Sequence, residues 1–154
     1  MAKNGYSMSN RVDIETITAD TILTANDCGK TIILNVATGL VVELPSSPAV
    51  AGAGWNVTFL IGTDLTGANL YLINSPTAGG DFFIGSLQSI STGAGKADSF
   101  PANGTSHNGI EINATTKGGH VGTRIEFVSD GTNWHVNGVL ACTGTPASPF
   151  EAIV

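Results

Sequence analysis

Residues 124–138 read RIEFVSDGTNWHVNG, and this stretch decides the fold. Ile125 and Phe127 share one face of a strand with Glu126 on the other, the two-residue period of a half-buried strand. Ser129-Asp130-Gly131-Thr132-Asn133 then breaks the period. Asp-Gly supplies the positive φ that a tight hairpin needs, and Asn tolerates it next best. Trp134 and Val136 resume the apolar face, with His135 and Asn137 pointing away. The stretch predicts a β-hairpin whose tryptophan closes a core.

Outward from the hairpin the same grammar recurs. In Trp55 to Ile61, WNVTFLI, the residues Trp55, Val57, Phe59 and Ile61 fall on one face. Thr31 to Val36 (TIILNV), Leu40 to Leu44 (LVVEL), Asn69 to Asn74 (NLYLIN), Asp81 to Ile84 (DFFI) and Gly109 to Ala114 (GIEINA) read as further strands. Val12, Ile14 and Ile17 mark a first, partly exposed strand, and Thr21 to Thr24 a short one ending in the turn Ala25 to Gly29. Pro45 to Gly54 reads as a surface loop with one helical turn at Ser47-Pro48-Ala49-Val50. Ile90 to Gly109 is rich in Ser, Gly, Ala, Asn and Thr, and a functional or partner-ordered loop is expected there. No stretch carries a 3.6-residue period. The expectation is one all-β domain over residues 12–154, an antiparallel sandwich, jelly roll or small barrel with few or no helices. Residues 1–11 are expected to form a polar N-terminal arm.

Composition narrows the function. Charged residues make up 12% of the 154-residue chain, against roughly a quarter in an average soluble protein. A surface so poor in charge suggests cover within an assembly. The net charge of −6 and only six Lys+Arg deny the chain the basic face that nucleic acid requires. No apolar run approaches the ~20 residues of a membrane span, and the polar start predicts synthesis in a cytoplasm.

Catalytic templates fail: there is no G-x-S-x-G, H-E-x-x-H or P-loop spacing, and no enzyme is expected. Gly93-Ala94-Gly95-Lys96 lacks the Walker spacing and reads as a loop. Asp27, Asp64, Asp81 and Asp130 fall at turns, where aspartates bond nearby backbone. His107, His120 and His135 are widely spaced with no second ligand near, and no metal or cofactor is assigned; in a trimer, one His per subunit could meet on the axis. Cys28 and Cys142 read as two small buried thiols rather than a disulfide. Trp55 and Trp134 could stack on a sugar ring, but their phase with apolar neighbours favours the core.

Leu23 to Thr31 (LTANDCGKT), Gly39 to Pro45 (GLVVELP) and Gly54 to Phe59 (GWNVTF), closed by Ser129 to Trp134 (SDGTNW), resemble small β-modules of tailed-bacteriophage virions. The resemblance spans Leu23 to Gly138 and brings no catalytic residues with it. Without a fibrous shaft, the chain looks most like a capsid decoration, or cement, protein. That likeness implies a homotrimer on the outer capsid surface that binds the major capsid protein; the alternative is a receptor- or glycan-binding module of a tail or head fibre. Partner-binding residues are expected in the arm (Tyr6, Met8, Arg11), at Phe100 in the Ser/Gly-rich run, and in the apolar tail (Phe150, Ile153, Val154).

Overall fold

The computed structural model describes residues 12–76 and 81–153. The first half of the chain winds as a coil. Strands β1 (Ile14–Ile17), β2 (Thr21–Ile22), β3 (Thr31–Leu34), β4 (Val41–Glu43), β5 (Asn56–Ile61) and β6 (Leu70–Asn74) alternate between two sheets. Odd strands stack in parallel, Ile14 beside Thr31 and Thr31 beside Thr58. Even strands do the same in the other sheet, Thr21 beside Val42 and Val42 beside Ile73.

The second half fills in the sheets with β7 (Phe83–Ser91), β8 (Lys96–Asn103), β9 (Gly109–Asn113), β10 (Arg124–Ser129), β11 (Trp134–Cys142) and β12 (Phe150–Glu151). One sheet runs β1-β3-β5-β10-β11-β7-β8, and the other β12-β9-β6-β4-β2. The all-β sandwich expected from the sequence is present, but its sheets are mixed. The early ladders and the β7–β11 ladder are parallel rather than antiparallel. The reason lies in the early turns, which send the chain across to the opposite sheet instead of back beside itself. Gly39 shows the constraint: its φ is +77°, and a Cβ there would lie 1.9 Å from the Leu70 carbonyl oxygen.

The organising hairpin is β10 and β11, paired from Arg124–Val139 to Ser129–Trp134. Gly131 takes φ +89° in its turn. Asp130 braces that turn by accepting the N–H groups of Thr132 (2.7 Å) and Asn133 (2.6 Å). Alternation places Ile125, Phe127, Trp134 and Val136 in the core, with Val57, Phe59 and Ile61 of β5 and Trp55 just before it. Trp55 and Trp134 meet edge to face at 5.4 Å, and Phe127 meets Phe83 and Phe59 at 5.1 and 6.0 Å. Each fully buried apolar side chain of this kind contributes ~1.5–3 kcal/mol. The single helical turn appears as α1 (Pro48–Ala51), capped by the Ser47 hydroxyl, which accepts the Val50 N–H at 3.2 Å.

The run from Ile90 to Gly109 is not a loop for most of its length. It holds the end of β7 and all of β8, paired from Ile84–Asn103 to Ser91–Lys96. Most β8 side chains are exposed on both faces, so burial imposed no apolar alternation on its sequence. Backbone pairing does most of the organising, with Phe100 and Ala102 half-buried against the core. The Walker-like glycines make the β7–β8 turn, where the Ser91 hydroxyl accepts the Ala94 N–H.

Candidate interaction surfaces

The three aspartate-rich turns bond as turn aspartates do, with one difference in reach. Asp27 caps a 3-10 turn at Ala25–Asp27 by accepting the Thr24 N–H at 2.7 Å. Burial pushes its carboxyl up, but Lys30 and the Thr24 N–H and hydroxyl outweigh this and hold it below the usual carboxylate range. Asp64 bonds a distant loop instead, accepting the Val121 N–H at 2.6 Å with His120 at 3.3 Å, and both contacts lower its pKa. Asp130 faces His135 Nε2 at 2.8 Å; that contact and the Asn133 and Thr132 N–H groups hold it well below the usual range. Asp81 differs: its Oδ2 is buried without a hydrogen-bond partner. Among the described residues no group of three or more His, Cys, Asp or Glu could hold a metal ion, and no helix is long and apolar enough to cross a membrane.

The residues expected to bind partners separate. Tyr6, Met8, Arg11 and Val154 lie outside the described residues. Phe100 is half-buried on β8, opposite Leu87 and packed against the core. The described part of the tail makes contacts within the chain. Phe150 is only 4% exposed, and His107 stacks on it at 5.6 Å with rings nearly parallel. Asn108 then grips Ile153 twice, donating Nδ2–H to its carbonyl (2.9 Å) and accepting its N–H (2.7 Å). Lys117 ties β12 to β9, reaching Glu111 at 2.8 Å and Glu151 at 2.6 Å. Burial disfavours the Lys117 ammonium, but the two glutamates outweigh it and raise its pKa. Phe150 thus belongs to the chain's own core, and Ile153 is held beside it.

One further reading changes, and one holds. Cys28 is exposed rather than buried, because it follows the 3-10 turn at the sandwich end; Cys142 is buried, and both thiols are free. Both tryptophans are core residues, 2% and 0% exposed, so neither offers a face to a sugar.

Besides single exposed residues such as Val50 and Val121, exposed apolar surface gathers in two places. The first is the edge where β1 and β2 each begin their sheet. Val12 is 59% exposed and Ile22 68%, and a groove of about 400 Å³ runs beside Ile22, lined by Asp20, Thr21, Ile22, Val41 and Glu43. The opposite edge strand, β8, is blunted by Lys96, Asp98 and Pro101.

The second place is the outer face of the seven-stranded sheet. Register sets its rows. Val128, His135 and Ile84 form one, and Glu126, Asn137 and Ser86 the next. Arg124, Val139 and Gln88 form a third, and Ala141 and Ile90 a fourth. Ile14, Ile84, Ile90, Val128 and Val139 are all exposed on this face. The signal was present in the sequence: Val128 and Val139 fall in the phase opposite to Ile125, Phe127, Trp134 and Val136, so apolar residues occupy outward positions. No family model matches the chain, and neither a curated protein nor a solved structure matches it.

Proposed function

We propose that this chain is a structural binding domain of a tailed-phage virion, acting as a decoration protein that clamps the outer surface of the capsid. It works by burying surface on the major capsid protein, and no bond is made or broken. The observation that carries the reading is the open β1/β2 edge. Two short strands, β1 and β2, each form the edge of a sheet there, and Ile22 is exposed above a groove. An edge of this kind accepts a strand or an apolar side chain from a partner. The likeness of residues 23–138 to virion β-modules supports the same reading.

Residues 1–11 lead directly into β1, so an arm reaching a neighbouring subunit would extend the same contact. The test is co-sedimentation with undecorated heads. Ile22→Asp should keep the wild-type melting temperature and weaken attachment about tenfold or more, the loss of one buried Ile side chain at ~1.5–3 kcal/mol. Wild-type occupancy by this variant removes the β1/β2 edge as the clamp.

A further inference from the structure

We infer that the outer face of the seven-stranded sheet is a self-association surface that pairs two copies of this chain about a twofold axis. The inference is independent of the capsid reading and concerns a different face.

Charge points to the occupant. The chain carries twelve Asp+Glu and a net charge of −6, so two copies repel through most of their surface. On the outward positions of this sheet the acidic side chain is Glu126, and Arg124 beside it donates to it through Nε at 2.9 Å. The middle of the face is therefore neutral on an acidic protein, with the Asp130 carboxylate at its end, 2.8 Å from the outward His135 Nε2, and two copies can approach there with little charge penalty.

Size agrees. Seven strands at ~4.8 Å spacing and about six residues in length give a face of ~29 by ~20 Å. With side-chain relief that approaches the ~800 Å² each partner contributes to a standard interface. Two depressions of about 230 Å³ each flank the central strand β10, both lined by Glu126 and Val128, and so give the face relief on either side of its middle.

The same charges choose the axis. A twofold axis along β10 would set Arg124 against the partner's Arg124. An axis perpendicular to the strands, crossing β10 between residues 124 and 126, sets Arg124 against the partner's Glu126 and repeats the pair on the other side. That operation reverses the order of rows. It places the row of Ile84 over the row of the partner's Ile90, the two exposed isoleucines of β7. Strands then run nearly antiparallel across the interface, as aligned sheet packing requires. One isologous patch is enough, and the dimer closes. The two copies' β1 edges fall on the same side.

Analytical ultracentrifugation of the full chain across micromolar concentrations tests this. Wild type is expected at twice the 15.7 kDa chain mass. Arg124→Glu and Glu126→Arg are each expected at the single-chain mass, because both facing pairs across the axis become like-charged. Mixing the two variants in equal amounts should restore the doubled mass, since one then presents two carboxylates, at 124 and 126, against the other's two guanidinium groups in matching positions. Circular-dichroism melting of each variant reports that it is folded, as expected for exposed side chains. A monomeric wild type overturns the inference, as does a variant that remains dimeric alone, or a mixture of folded variants that stays monomeric. Loss of capsid attachment with the dimer intact would instead count against the clamp reading only.

Discussion

Trp134→Phe and Trp55→Phe should differ although they remove the same atoms from the same cluster. Both indoles are buried, and they meet edge to face at 5.4 Å. Truncating either to Ala should cost ~3–5 kcal/mol, of which the ring–ring contact accounts for ~0.5–1.5 kcal/mol. Phe keeps most of that packing and loses roughly 1–2 kcal/mol of burial. The indole N–H groups separate the two sites. Trp55 Nε1 donates to the Thr24 carbonyl at 3.1 Å, so Trp55→Phe also loses a hydrogen bond worth ~0.5–1.5 kcal/mol. Trp134 Nε1 is buried with no acceptor, a standing cost of ~1–3 kcal/mol that Phe removes. Trp134→Phe should therefore lie within ~1 kcal/mol of wild type, and Trp55→Phe about 2 kcal/mol below it. Urea unfolding at fixed m-value reads both. Equal losses for the two variants would refute the assignment of a satisfied and an unsatisfied indole.

Three other outcomes are expected. Asp27, Asp64 and Asp130 all have folded pKa values below their unfolded ones, so the stability they confer is complete above the ordinary carboxylate value of ~3.9 and is lost as pH falls below it. The melting temperature should be flat from neutral pH to about 5 and fall below about 4, and the triple Asp→Asn variant should show a shallower fall. Lys117→Gln leaves Glu111 and Glu151 facing each other unpaired; after allowance for the partial exposure of both carboxylates the cost should be about 1 kcal/mol, with faster amide exchange in β12 than elsewhere. Gly39→Ala drives a Cβ into the Leu70 carbonyl and should cost ~3 kcal/mol or more, or prevent folding, by thermal melting.

The sequence by itself determined the class and the core. Period-two alternation in Trp55 to Ile61 and Arg124 to Gly138 assigned the buried residues correctly, because a side chain's face depends only on its own strand. Asp-Gly at 130–131 and Ser-Pro at 47–48 marked a turn and a helix start through local backbone chemistry alone. Strand partnership is another matter, since it depends on where the chain goes after each turn. Nothing in Ala37-Thr38-Gly39 says whether Leu40 returns beside Thr31 or crosses to the second sheet, and only the packed structure settled the parallel coil. β8 was invisible for a related reason: its order comes from ladder bonds to β7, and an exposed strand has no burial to write a pattern. Phe150 read as a sticky tail because its cover, His107 and the edge of β9, is distant in sequence. The outward valines at 128 and 139 were legible one at a time, but only sheet order joins them to Ile84 and Ile90 in one face, because a surface is made by neighbours in space.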